Sequence, residues 1–214
     1  MIVAIDGPVG SGKSAVGRRV AEALGLAFVD SGLMYRVVGM LAVEQGLDLD
    51  DADVLTRLAG ATTVHFAGPC VRVGHRDITG QVYAPDLSAA ASQVAQVPGV
   101  RLAVVAQLRA MGRGGVVMAG RDIGTVVFPD ADHKFYLTAS ADVRAGRRAR
   151  QIEQRGERAD PEALRVEVEE RDRRDAGRAV APMRPADDAM IIDTNDLDLS
   201  DVVAEVLRSV RGAA

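Results

Sequence analysis

Two rhythms of apolar residues alternate along this chain. Short runs rich in Val and Ile predict strands at residues 1–6, 26–30, 115–119, 133–138 and 189–193. Elsewhere apolar positions recur three or four apart, which predicts helices over 13–24, 32–45, 51–59, 86–95, 98–112, 140–154, 160–178 and 199–211. Cap chemistry marks several starts: Asp160 precedes Pro161 and Glu162, and Ser200 or Asp198 leads into the last helix. Alternation of this kind predicts βαβ units and a parallel sheet. One stretch breaks the rhythm. Thr62-Thr63-Val64-His65-Phe66, Cys70-Val71-Arg72-Val73 and Asp77-Ile78, separated by Gly68-Pro69 and Gly74, read as short antiparallel strands inserted between helices. A second interruption, Gln154 to Asp160, is polar, contains Gly156 and joins two arginine-laden helices, as a mobile lid or a plain helix connection would.

With 214 residues the chain can bury a self-sufficient core without metal or disulfide staples. Its 48% hydrophobic and 26% charged residues exclude disordered and fibrous classes. No apolar run reaches the roughly 18 residues of a membrane span. Met1 to Asp6 has no basic leader, and Cys70 is the single cysteine, so a reducing, cytoplasmic setting is expected. The 26 basic residues are outnumbered by 30 acids, and aromatics are 3%, which argues against a nucleic-acid partner. His65, His75 and His133 are scattered and there is no C-x-x-C, so no metal enzyme is expected.

The sharpest signal lies between the first strand and the first helix. Gly7-Pro8-Val9-Gly10-Ser11-Gly12-Lys13-Ser14 fulfils G-x-x-x-x-G-K-[ST] in the strand–loop–helix context that gives the pattern meaning. Glycines let successive N–H groups curl around phosphates, Lys13 reaches the β and γ oxygens, and Ser14 offers a hydroxyl to Mg²⁺. The helix start adds partial positive charge. A P-loop NTPase fold binding a purine nucleoside triphosphate is therefore expected. No N-K-x-D guanine reader is present, and the strand at 116–119 runs into Gly120-Arg121-Asp122 rather than paired acids. A kinase of a small acceptor fits these absences better than a GTPase or a motor.

Such a kinase needs a second anion site. Asp30-Ser31-Gly32-Leu33-Met34-Tyr35-Arg36 follows the second strand, and Gly120-Arg121-Asp122-Ile123-Gly124-Thr125 follows the third. Strand carboxyl ends in an open α/β sheet border the ligand crevice. Ser31 also fits a simple helix N-cap. Arg171, Asp175 and Arg178 are spaced i, i+4 and i+7, so they share a helix face, whether for a ligand or as an exposed salt bridge.

Together with Ala91-Ser92-Gln93-Val94-Ala95, Pro98, Val100, Arg101, and Glu170-Arg171-Asp172 through Pro182, these motifs resemble bacterial cytidylate kinases over essentially the whole chain. The resemblance implies a three-layer α/β/α kinase core at 1–60 and 94–214 with a five-stranded parallel sheet, a helical lid at about 144–165 and a CMP-binding insertion at 61–93. It implies a monomeric enzyme that transfers the γ-phosphate of ATP to CMP or dCMP, with Mg²⁺. Carried over by motif, the loop from Gly7 to Ala15 holds ATP. Ser31, Arg36 and Arg121 then meet the CMP phosphate, Ser92, Arg101 and Asp122 the cytosine, and Arg171 with Asp175 the sugar, while Arg178 matches a further nucleotide-contacting arginine. Ala15 stands where the family often has threonine, and Leu108 where glutamine is frequent.

Transfer between two anions asks chiefly for charge neutralisation and alignment, which suits an arginine-rich site. Lys13, Arg121 and Asp122 are the expected catalytic set. Residues 144–178 hold eleven arginines against nine acids, and Arg144, Arg147, Arg148, Arg150, Arg155 and Arg158 form a surplus from which Arg148 is assigned to the transferring phosphate. An adenylate or shikimate kinase type, or an ATP-binding regulatory protein without transfer, remains a competing expectation.

Overall fold

A computed structural model describes residues 1–68, 70–84, 87–154 and 156–212. Pro69 of the expected turn, the expected helix start at residue 86 and Arg155 of the arginine-rich connection lie outside the described residues. In chain order the first elements are β1 (Ile2–Asp6), α1 (Lys13–Leu24), β2 (Ala27–Asp30), α2 (Ser31–Glu44) and α3 (Ala52–Ala61). Then come β3 (Val64–Ala67), β4 (Cys70–Val73), β5 (Arg76–Asp77), α4 (Thr79–Val82), α5 (Leu87–Val94) and α6 (Pro98–Met111). The remainder is β6 (Val116–Ala119), a π-helical turn at Ile123–Val127, β7 (His133–Thr138), α7 (Ala141–Glu153), α8 (Pro161–Ala176), β8 (Met190–Asp193) and α9 (Leu199–Gly212).

The five expected strands form one parallel sheet ordered β2-β6-β1-β7-β8. Val3, Ala4 and Ile5 of β1 and all four residues of β6 are buried, which is why these strands read as unbroken apolar runs instead of alternating ones. In the β1–β7 ladder Asp6 lies opposite Tyr136, and in the β7–β8 ladder Thr138 lies opposite Asp193.

By compactness the chain divides into two units. The first comprises Met1–Leu26 and Val117–Ala214. Here α1 stops at Gly25, whose left-handed φ of 65° lets its N–H reach Ala21 and Glu22 carbonyls. Helix α9 buries Val202, Val206 and Val210 at four-residue steps and packs on α1. Asp160 caps α8 by accepting from Glu162 and Ala163 N–H, as its sequence context predicts, and Asp198 accepts from Asp201 N–H ahead of α9. Ala145, Ala149 and Leu164 join α7 to α8 in a small apolar cluster.

The second unit is Ala27–Val116. Helix α2 buries nine of its fourteen residues, and Gly39 lets α5 approach: a Cβ there would lie 3.0 Å from the Ala91 nitrogen. The antiparallel sheet β3-β4-β5 sits where the broken rhythm places it, with Val64 opposite Val73 and Phe66 opposite Val71. Gln107 ties α6 to its root by accepting from Val64 N–H and donating to the Thr62 carbonyl. A bidentate Arg76–Glu44 pair, both contacts 2.7 Å, joins β5 to α2.

Three local features differ from the sequence-based reading. Asp30, not Ser31, caps α2: its carboxylate accepts from Gly32 N–H, and Ser31 is the first helical residue. Helix α8 ends at Ala176 with Gly177 as C-cap, so Arg178 lies past the helix and returns to Asp175 from outside the expected i+7 face. The turn at Ile123–Val127 and the short α4 have no periodic signal in their few residues.

Candidate phosphoryl-transfer site

In the first unit, β1 ends at Asp6 and the chain turns at Gly7, whose φ of 142° admits few residues other than glycine. A Cβ at Gly7 would sit 2.0 Å from the Leu137 carbonyl oxygen, so the loop is seated against the β7 backbone. Gly10 and Gly12 also have positive φ, and a Cβ on Gly12 would meet nothing within 4 Å. The Lys13 ammonium, buried at the head of α1, donates to the Pro8 carbonyl and, at 3.3 Å, to Ser11 Oγ. Ser14 follows it half-buried, and Ala15 is exposed. No carboxylate occupies the first turn of α1, so the orphan N–H groups there keep their positive end undiminished.

Beyond β6, Gly120 N–H donates to the Ile5 carbonyl at 3.0 Å and carries Arg121 and Asp122 onto the crest beside the loop's root. Arg121 Nε donates to Asp175 Oδ2 at 3.0 Å, and Arg178 donates to Asp175 Oδ1. Asp175 is 2% exposed. Burial alone would raise its pKa, but Arg121, Arg178 and Arg171 together hold the carboxyl below its usual value. The structure therefore brings three expected arginines, Arg121, Arg171 and Arg178, to the buried carboxylate of the fourth expected residue, Asp175. Asp122 is buried, and its carbonyl accepts from Val126 and Val127 N–H in the π-helical turn.

Several residues here escape sequence reasoning. Asp6 is buried and accepts from Ile123 and Gly124 N–H, each at 2.8 Å. Burial pushes its carboxyl up to about 6, beyond what the two N–H groups and Lys13 pull down, and Asp122 adds to the rise. Tyr136, its ladder partner, has a raised pKa through burial and the nearby Asp172 charge. Arg144, read as part of a lid surplus, is buried: it donates to the Val9 and Ala139 carbonyls at 3.0 Å and pairs with Asp172 at 2.6 Å. Arg147 donates to Thr194 Oγ1 and its carbonyl, and Arg148 to Glu167 at 3.1 Å, while Arg150 and Arg158 are exposed.

The second unit carries the other expected residues. Arg36 donates to the Val82 and Ala84 carbonyls and to Ser88 Oγ, which ties α2 to the end of α4. Arg101, 2% exposed, donates to the Ala95 carbonyl and lies with its guanidinium carbon 5.3 Å from the Tyr35 ring centre. Ser31 and Ser92 are buried, and among the described residues Ser92 Oγ has no hydrogen-bond partner. A buried hydroxyl of this kind is costly unless a ligand or water completes it.

Residues 3–212 match the family model described as Cytidylate kinase. A cytidylate kinase of Exiguobacterium sibiricum is 41% identical over 99% of this chain and 97% of its own length. One of Pelotomaculum thermopropionicum is 44% identical, covering 97% and 95%. A bifunctional pantoate ligase/cytidylate kinase of Synechococcus sp. (strain JA-3-3Ab) is 44% identical over 98% of this chain, which spans only 40% of that protein's length. Among solved structures, a gluconokinase from Sinorhizobium meliloti 1021 aligns over 100% of this chain and 93% of its own with a TM-score of 0.52 and 18% identity, a likeness of fold alone.

Proposed function

Because the chain belongs to the cytidylate kinase family, we propose that it transfers the γ-phosphate of ATP to CMP or dCMP, giving ADP and CDP or dCDP. The observation that carries this reading is the pairing of a complete phosphate loop with a crest where Arg121, Arg171 and Arg178 converge on buried Asp175. ATP lies on Gly7–Ala15, with loop N–H groups and Lys13 on the phosphates. The open space beside Gly12 and a carboxylate-free helix start fit that ligand. Among the described residues no group of three or more His, Cys, Asp or Glu side chains could hold a metal ion. When bound with the nucleotide, Mg²⁺ would be held by the Ser14 hydroxyl and would neutralise phosphate charge.

On the acceptor side, Ser31, Arg36 and Arg121 take the CMP phosphate, Ser92, Arg101 and Asp122 the cytosine, and Arg171, Asp175 and Arg178 the sugar and neighbouring groups. The CMP phosphate oxygen is already ionised, so alignment and charge neutralisation suffice without a strong base. The Asp122 side-chain oxygens accept from the cytosine 4-amino group, where uracil would present a carbonyl oxygen. Residues 61–93 act as the CMP-binding insertion and about 144–165 as the lid, with Arg148 closing on the transferring phosphate. The protein acts as a cytoplasmic monomer on small molecules, without nucleic-acid or membrane partners; among the described residues no helix is long and apolar enough to cross a membrane.

An ADP-release assay with Mg·ATP against CMP, dCMP, UMP, AMP and shikimate tests this. Turnover selective for CMP and dCMP is expected, with Asp122→Ala lowering the preference over UMP by about 10²-fold or more. Equal kcat/KM for UMP and CMP in the wild type would refute the base assignment. Turnover of AMP or shikimate alone would point to another acceptor.

A further inference from the structure

Asp6 is a buried carboxylate to which the proposed chemistry gives no task, yet its bonding is specific. Oδ1 accepts from Ile123 N–H and Oδ2 from Gly124 N–H, both at 2.8 Å, across 117 and 118 residues of sequence. Those N–H groups open the π-helical turn whose preceding residues are Arg121 and Asp122, and the first N–H groups of any helical turn lack partners within it. The turn starts from Asp122 at φ −146° and ψ 26°, outside helical geometry, and no side-chain cap of its own secures it. On its other side Asp6 is bonded to Gly7, the first residue of the phosphate loop. Backbone bonding reinforces the junction one residue earlier, where the Ile5 carbonyl takes Gly120 N–H.

We propose that Asp6 is a positioning residue: by accepting from both N–H groups it sets where Arg121 and Asp122 stand relative to the root of the phosphate loop. The inference rests on the kinase reading and deepens it. Only an ionised carboxylate presents two acceptor oxygens in that fork; an amide replaces one with an NH₂ donor that would face an N–H. The phosphate loop has supports of its own, because Ser11 Oγ and Lys13 Nζ both donate to the Pro8 carbonyl and Gly7 is seated on Leu137. Disturbing Asp6 should therefore register on the acceptor more than on ATP.

The test compares wild type, Asp6→Asn and Asp6→Glu for kcat and KM with CMP, UMP and ATP, with thermal unfolding alongside. In Asp6→Asn, kcat/KM for CMP is expected to fall roughly 10- to 100-fold and the CMP-over-UMP preference about tenfold, with KM for ATP within about twofold. Asp6→Glu, which keeps both acceptors on a longer stem, is expected to lie between. It carries the same selectivity readout if Asp6→Asn does not fold. An unaltered CMP preference in the variant that folds, or an equal rise of KM for ATP and CMP, overturns the positioning role while leaving the kinase reading intact. Wild-type inactivity toward every monophosphate overturns both.

Discussion

Replacing Lys13 by methionine is expected to lower kcat for phosphoryl transfer about 10³-fold while leaving the fold in place. The ammonium is the one lysine charge of the loop, and the transition state spreads negative charge over the transferring oxygens at the place the loop cradles. Methionine fills similar volume, so the loss reads the charge and its three donors rather than a cavity. Stability should hold, because the Pro8 carbonyl that Lys13 engages also accepts from Ser11 N–H at 3.5 Å and Ser11 Oγ at 3.0 Å. Single-turnover rates at saturating ATP and CMP, with circular dichroism melting on the same samples, check both halves. Retention of kcat within tenfold in a folded Lys13→Met variant would remove Lys13 from the transfer step.

The phosphate loop was legible because its chemistry is consecutive in sequence: strand, glycines, Lys13 and Ser14 occupy thirteen neighbouring positions, and each local preference agrees with the next. The five strands were legible for a related reason, since burial on both faces of β1 and β6 leaves short undiluted apolar runs. Local signals fail where a polar side chain is bought into the core by a distant partner. Arg144 sits on a helix crowded with exposed arginines, and only the fold reveals that Val9, 135 residues away, and Asp172 receive its guanidinium. Asp6 closes a strand as an ordinary loop-edge acid would, yet its bonds reach Ile123 and Gly124. The end of α8 was missed by two residues for a subtler reason. Arg178 belongs to the same charge cluster as Asp175, and a ligand-like spacing of i, i+4, i+7 can be met by a chain that has already left the helix.

That cluster sets the second large effect. Asp175→Asn is expected to destabilise the protein by about 3–5 kcal/mol, because the amide removes a buried anion on which Arg121 and Arg178 converge. The arginine side chains are 19% and 6% exposed, so water can compensate only the outer edge of Arg121. For a chain of this length the loss corresponds to a melting temperature lower by about 10 °C. The same residue predicts an acid limb. Its folded-state pKa is held below the unfolded value of about 4, so its contribution is complete above that pH and is lost as pH falls through the folded-state pKa. Urea unfolding between about pH 2 and 5 should therefore show wild-type stability falling toward acid, with a shallower fall in Asp175→Asn. Parallel pH profiles in the two proteins would mean that the three arginines find other counter-charges in the fold. Function should follow the same carboxylate: releasing Arg121 and Arg178 from a common anchor misplaces two cations proposed to hold the acceptor, so KM for CMP should rise more than KM for ATP. An equal rise in both would instead mark Asp175 as a support of the whole unit.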